Sequence, residues 1–118
     1  MSYDVLLSPN LRLLADAMSE EELMGGVCEH LELFGWTWCH VRPAMKKKNG
    51  EIIYGTPIMG HKGLPDLIMG RDGVVMLWEL KAEHGRVAPE QERFLEAVGG
   101  RIVRPSDLLS GWVEEMLR

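Results

Sequence analysis

A chain of 118 residues has room for one domain and buries roughly two-thirds of the surface its unfolded form would expose. With 46% hydrophobic and 26% charged residues it has the make-up of an ordinary soluble protein, and no apolar run approaches the ~20 residues of a membrane span. The net charge of −5 argues against nucleic acid as a partner at first sight, but it is unevenly spread: residues 1–39 hold seven acids and one base, whereas residues 40–104 hold eleven bases and eight acids.

Residues 1–18 form a mixed apolar lead-in with no clear period, and Met1–Asn10 has no basic segment ahead of its short apolar stretch, so no signal peptide is expected. Ser19-Glu20-Glu21-Glu22 has the S-x-x-E form of a helix-capping box, and Leu23, Val27, Leu31 and Phe34 follow at helical spacing, with Gly35 as the stop. Gly25 and Gly26 weaken this helix by roughly 1 kcal/mol each relative to alanine, which suggests a close-packed position. Trp36 to Val41 alternates like a strand and Pro43 closes it. Residues 44–65, with Lys46 to Lys48, Asn49-Gly50, Gly55, Pro57, Gly60 and Gly63, read as a turn-rich basic loop or hairpin. Asp66 to Met69 reads as a short strand, Asp72-Gly73 as a hairpin turn, and Val74 to Lys81 as the strongest strand in the chain. Pro89 opens a helix with Phe94, Leu95 and Val98 on its apolar face, ending at Gly99-Gly100. A short strand over 101–103 follows. A last helix after Ser106 carries Leu108, Leu109, Trp112, Val113 and Met116. One α/β domain over 19–118, preceded by the lead-in, is the expected organisation.

Two features stand out. Glu79 and Lys81 interrupt an apolar strand two residues apart, hence on one face, and a buried carboxylate is costly unless it is paired or holds a metal. Alone they read equally well as an ion pair at a strand end. Asp66, directly after Pro65, alone reads as a turn or cap aspartate. Together they gain meaning, because a hairpin turning at Asp72-Gly73 sets Asp66 and Glu79 equally far from the turn and therefore side by side. Two carboxylates beside a lysine suit a hard, oxygen-preferring cation such as Mg2+. Phosphodiester hydrolysis needs activated water and charge neutralisation at phosphate, which such a site could supply. Asp66 and Glu79 would hold the ion, with the Leu80 backbone carbonyl as a further ligand, and Lys81 would act on the water or the phosphate.

Gly63-Leu64-Pro65-Asp66-Leu67-Ile68, Glu79-Leu80-Lys81, Gly85-Arg86 and Pro89-Glu90-Gln91 stand in the order of the G-x-P-D, E-x-K and G-[RK]…P-x-Q motifs. With His40-x-Arg42-Pro43 and Gly55-Thr56-Pro57 upstream and Arg104-Pro105-Ser106-Asp107 downstream, this set resembles the VRR-NUC branch of the PD-(D/E)XK nuclease superfamily, from Ser19 to the C-terminus. The resemblance implies a restriction-endonuclease-like fold, a mixed sheet flanked by helices. It also implies Mg2+ or Mn2+ as cofactor, with no small-molecule cofactor, and cleavage of DNA. For a small stand-alone member it suggests a homodimer, similar to Holliday-junction resolvases, acting on branched or junction DNA in the cytoplasm of a bacterial cell or phage-infected host. It points to Glu20 as an acidic residue completing the metal site. Glu22 has a capping role and Glu21 is a third choice, although all three also fit a solvated first turn. Gln91 matches the glutamine that reaches back to the site, and His40, Arg42 and Arg86 match positions suited to DNA phosphate.

Weaker signals complete the reading. Lys46 to Lys48 and Lys62 could clamp a DNA backbone, although a lysine run is usually just solvated, and His61-Lys62, immediately before the G-x-P-D segment, is the better candidate. His30, His40, His61 and His84 with Cys28 and Cys39 show no zinc-type spacing, and two cysteines provide no disulfide framework. A nuclease-fold domain that binds DNA or protein without cutting, and RNA as substrate, are the competing functions.

Overall fold

The structure, a computed structural model, describes residues 7–41, 44–55 and 59–118. In chain order these form α1 (Pro9–Ala17), α2 (Glu20–Leu33), β1 (Thr37–His40), β2 (Ala44–Lys48), β3 (Glu51–Gly55), β4 (Leu67–Arg71), β5 (Val74–Leu80), α3 (Pro89–Val98), β6 (Arg101–Val103), α4 (Pro105–Leu109) and α5 (Trp112–Leu117). The fold is α/β, a mixed four-stranded sheet with helices, and among the described residues no helix is long and apolar enough to cross a membrane. Pro43, Thr56 and Pro57 lie outside the described residues.

The first helix of the motif region, α2, starts as its sequence dictates. Ser19 Oγ accepts the Glu22 N–H at 3.0 Å, and Glu22 Oε1 accepts the Ser19 N–H at 3.1 Å, so two amides left open by the helix end are satisfied. Leu23, Val27 and Leu31 are its buried stripe. Gly26 has the packing reason its cost implied: a Cβ there would stand 2.5 Å from Leu108 Cδ2, so the approach of α4 to α2 uses the missing side chain.

The sheet runs β1-β4-β5-β6. β1, β4 and β5 are antiparallel neighbours, and β6 lies parallel to β5 after a crossover through α3, the connection a parallel pair requires. Alternation sends Leu67, Met69, Trp78, Leu80 and Val103 into one core with the α2 stripe and with Trp112, Val113 and Leu117 of α5. Each fully buried leucine in this cluster contributes about 1.5–3 kcal/mol. Trp36 Nε1 donates to the Leu117 carbonyl at 2.9 Å, and Arg71 Nη1 donates to the Phe34 and Leu117 carbonyls at 2.9 and 2.8 Å. These bonds tie the ends of α2 and α5 to the sheet. The loop over 44–65 contains a hairpin, β2–β3, turning at Asn49-Gly50.

Three expectations need correcting. The lead-in contains a helix: Pro9 takes the first helical turn, Ser8 Oγ accepts the Leu11 N–H at 3.2 Å, and Ala15 is buried as α1 packs on α4. The apolar face of α3 is narrower than its sequence suggested, with Leu95 buried, Phe94 half-buried and Val98 exposed. The last helix is two helices, broken at Gly111, where φ is +91°; the turn brings Leu117 into the core and leaves Met116 exposed.

Candidate active site

Asp66 occupies the residue before β4. Its carbonyl accepts the Val41 N–H at 2.8 Å, extending the β1–β4 ladder by one step. The β4–β5 register pairs Leu67 with Trp78 and Ile68 with Leu77, so one step further places Asp66 opposite Glu79. The Asp72-Gly73 turn has positive φ at both residues (51° and 79°), the twist that closes a two-residue hairpin and sets this register.

The two carboxylates are bound reciprocally through the backbone. Glu79 Oε2 accepts the Asp66 N–H at 3.1 Å, and Asp66 Oδ1 accepts the Leu80 N–H at 3.3 Å. Lys81 Nζ lies 3.8 Å from Glu79 Oε1. Gln91 Nε2 donates to the same Oε1 at 2.9 Å, while Gln91 Oε1 accepts the Ala88 N–H at 3.0 Å; the second bond orients the amide so that its nitrogen faces the carboxylate. Gln91 therefore does reach back from the third position of α3.

A glycine makes that reach available. Gly63 has φ of +101°, and a Cβ on it would fall 2.2 Å from the Glu90 carbonyl oxygen. The segment leading to Pro65 and Asp66 thus lies directly against the first turn of α3. The loop between Lys81 and Gln91 is held from its other side. Arg104 Nη1 donates to the carbonyls of Ala82, Glu83 and Gly85 at 2.7, 3.1 and 3.1 Å. Glu83 Oε1 accepts the Ser106 N–H at 2.9 Å, and its other oxygen pairs with Arg12 of α1 at 3.7 Å. His84 Nε2 meets Asp16 Oδ1 at 2.8 Å. The Arg104-Pro105-Ser106-Asp107 motif is the sequence signal of the Arg104 clamp, whereas the two contacts from α1 have no local signal, since nothing near Arg12 or Asp16 specifies the 82–88 loop.

Burial and like charge both act on the carboxylates. Asp66 is pushed up to about 7, first by desolvation and then by the Glu79 charge, with a smaller contribution from Glu20; the Leu80 N–H and Lys81 oppose this. Glu79, only 6% exposed, is also raised, chiefly by burial, against the lowering effects of Lys81, the Asp66 N–H and Gln91. Burial and the neighbouring charge disfavour ionising both acids at once, and a proton or a bound cation relieves this.

Two clefts meet here. One, of about 680 Å³, is lined by Glu79, Gln91, Glu90 and the His61 to Leu64 segment; the other, of about 990 Å³, by Glu20, Glu21, Met24, Cys28 and Leu80. Asp66 and His40 line both. Of the three glutamates at the start of α2, Glu22 is engaged in the capping box, and Glu20 is the one whose charge bears on both Asp66 and Glu79. His61 and Lys62 are exposed on the rim. Arg86 is exposed and lines neither cleft, and Arg42 lies outside the described residues.

Among the described residues, no three His, Cys, Asp or Glu side chains converge closely enough to hold a metal by themselves. Glu20 therefore lines the cleft without closing a three-acid cage. The donor set that is present still fits one ion class. Mg2+ keeps several waters and is commonly held by one or two carboxylates together with substrate phosphate, and the oxygen donors here are of that hard type. Comparison of the chain with family models, with curated proteins and with solved structures returns no match.

Proposed function

We propose that this chain is a nuclease dependent on Mg2+ or Mn2+ that hydrolyses phosphodiester bonds in DNA, as an endonuclease on branched or junction substrates. The reading rests on one observation above the others. Asp66 and Glu79 are locked face to face by each other's strand, both with raised pKa values, and Lys81 stands 3.8 Å away. A purely structural ion pair would need one carboxylate; the second adds repulsion that Lys81 does not cancel, since both acids stay raised beside it, and that a divalent cation would relieve. The ordered resemblance to the VRR-NUC motifs supports the same chemistry and is the sole support for DNA as substrate.

When bound, the divalent ion would supply charge neutralisation at the scissile phosphate and acidify water. Asp66 and Glu79 would hold it, with the Leu80 carbonyl and Glu20 as further oxygen donors. Gln91, bonded to Glu79 Oε1, holds that carboxylate in one rotamer, as outer hydrogen bonds do for metal-holding groups. Lys81 would place its Nζ by the attacking water or by a non-bridging phosphate oxygen, where charge accumulates during hydrolysis. His40 on the shared wall, with His61 and Lys62 on the rim, would steady the flanking phosphates. A homodimer would present two such sites to a symmetric branched substrate.

The test is a panel of linear, flapped and four-way-junction DNAs incubated with Mg2+ or Mn2+, repeated with Asp66→Ala and Lys81→Ala. Metal-dependent cleavage lost in both variants is expected, with preference for the branched substrates. Binding without cleavage would favour a silent DNA-binding domain, and cleavage confined to an RNA panel would move the substrate to RNA. Sedimentation across micromolar concentrations, with and without DNA, tests the dimer.

A further inference from the structure

Helix α3 has two working faces. Gln91 and Leu95, four residues apart, turn toward the sheet, one bonded to Glu79 and the other buried. Glu90, Arg93, Phe94 and Ala97, at i, i+3, i+4 and i+7, line a separate groove of about 630 Å³ whose opposite wall is His61 and Lys62. This groove is continuous with the carboxylate cleft, because His61, Lys62 and Glu90 line both. The sequence places Phe94 and Val98 with Leu95 on one apolar face; in the fold only Leu95 is buried, Phe94 is half-buried and Val98 is 42% exposed. The side chains of Lys62 and Arg93 form no ion pair or hydrogen bond with another described residue.

On an acidic chain, a groove whose lining combines Lys62, Arg93 and His61 with a single acid, Glu90, and one aromatic ring, Phe94, is a specific combination. Cations track a phosphate backbone, and a ring binds the face of a base. A base can offer that face only when it is unstacked, which a base inside a duplex is not. We propose that this groove binds an unpaired DNA strand, stacking a base on Phe94 between Arg93 and Lys62, and leads that strand to or from the Asp66–Glu79 cleft. The proposal rests on the nuclease reading for the identity of the nucleic acid, and it specifies the substrate as DNA with a single-stranded segment next to the cleaved bond.

The experiment uses the full chain and two readouts. Binding of a fluorescent single-stranded DNA and of the matching blunt duplex is measured by anisotropy in EDTA, so that no cleavage intrudes. Cleavage of a flapped and of a blunt duplex is then measured with Mn2+. Phe94→Leu should weaken single-strand binding by about 5- to 100-fold, the range of one lost base stack. It should slow flap cleavage in parallel, with blunt-duplex binding unchanged. Phe94→Tyr, which keeps the ring face, should restore both, and Arg93→Gln should weaken single-strand binding and lower its salt dependence. Should Phe94→Leu fail to fold, photo-crosslinking of 5-bromouracil DNA to the wild-type chain should label residues 61–62 or 90–98.

The two readings fail separately. Phe94-dependent single-strand binding with no cleavage of any substrate leaves the groove standing and removes the nuclease. Metal-dependent cleavage that Phe94→Leu leaves intact, or crosslinks confined to other segments, overturns the groove and leaves the nuclease. Equal weakening of single-strand and duplex binding also overturns it, as does tighter binding of RNA of the same sequence.

Discussion

The main-chain N–H of Asp66 donates to Glu79 Oε2 at 3.1 Å, while Asp66 Oδ1 accepts the N–H of Leu80, the residue after Glu79, at 3.3 Å. Each carboxylate is thus held by the other's strand. The hairpin that carries both acids also fixes their rotamers, so the site is organised before any ion or substrate arrives. Asp66→Asn keeps the shape of this arrangement and removes one charge. We predict that it abolishes metal-dependent cleavage and raises the thermal midpoint of the metal-free protein, because repulsion with Glu79 is relieved. Calorimetry in EDTA and a cleavage assay check the two halves; a lowered midpoint would mean the two acids do not repel.

The raised acids set a pH dependence of unusual sign. Asp66 binds its proton more tightly in the folded state (about 7) than at its ordinary 3.8, and Glu79 shifts the same way. Between those limits the folded chain holds more protons than the unfolded one, so the metal-free protein should lose stability as pH rises from about 4 to about 7 and level off above. Mg2+ or Mn2+ should reverse the loss at and above pH 7. Thermal melts across this range, with and without metal, measure it, and a flat metal-free profile would contradict the raised Asp66.

Lys81 is the cation that lowers both acids, the largest lowering influence on Glu79 and the smallest of the causes acting on Asp66. Lys81→Ala should therefore push Glu79 further up, visible in a carboxyl-carbon NMR titration, and cut cleavage by about 10²–10³-fold, the scale of losing one charge-stabilising group. Lys81→Arg, with a longer and forked head, should restore the titration more fully than the activity.

Gln91 tests whether an outer hydrogen bond matters. Gln91→Ala removes the bond to Glu79 and the one to the Ala88 N–H. A loss of about 10- to 100-fold in metal affinity or activity is expected, by the usual effect of groups that orient a metal-holding side chain. Gln91→Glu should be worse, since it sets a third acid against Glu79.

Two positions should act on the scaffold. Gly63→Ala puts a methyl group 2.2 Å from the Glu90 carbonyl at a φ of +101°, so backbone must move, and a destabilisation of about 1–3 kcal/mol is expected together with impaired cleavage. Arg104→Ala leaves the carbonyls of Ala82, Glu83 and Gly85 without their shared donor and should cost about 2–4 kcal/mol while loosening the path from Lys81 to Gln91. Hydrogen exchange over residues 82–88 reads the second effect directly.

Much of this was present in the linear chain. The capping box at Ser19, the apolar strand that carries Glu79, the Asp72-Gly73 turn and the glycine stop of α3 are local signals, and local backbone preference decides them; the strand itself stops at Leu80, one residue short of the expected Lys81. Even the pairing of Asp66 with Glu79 followed from the turn, because in a two-residue hairpin the register is a matter of counting. Other features depended on contacts between distant segments. Helix α1 stays ordered because Ala15 is buried and Arg12 and Asp16 meet the 82–88 loop, and nothing near residue 12 specifies Glu83. The break at Gly111, the burial of Leu117 in place of Met116, and the partial exposure of Phe94 were decided by which surfaces α2 and the sheet left available. Local pattern and turn chemistry named the acidic pair and placed its turn. The reach of Gln91 was expected from the motif order, but the Arg104 clamp and the approach of Gly63 to α3 emerged only in the fold, since those contacts join segments whose meeting is set by packing rather than by the order of the chain.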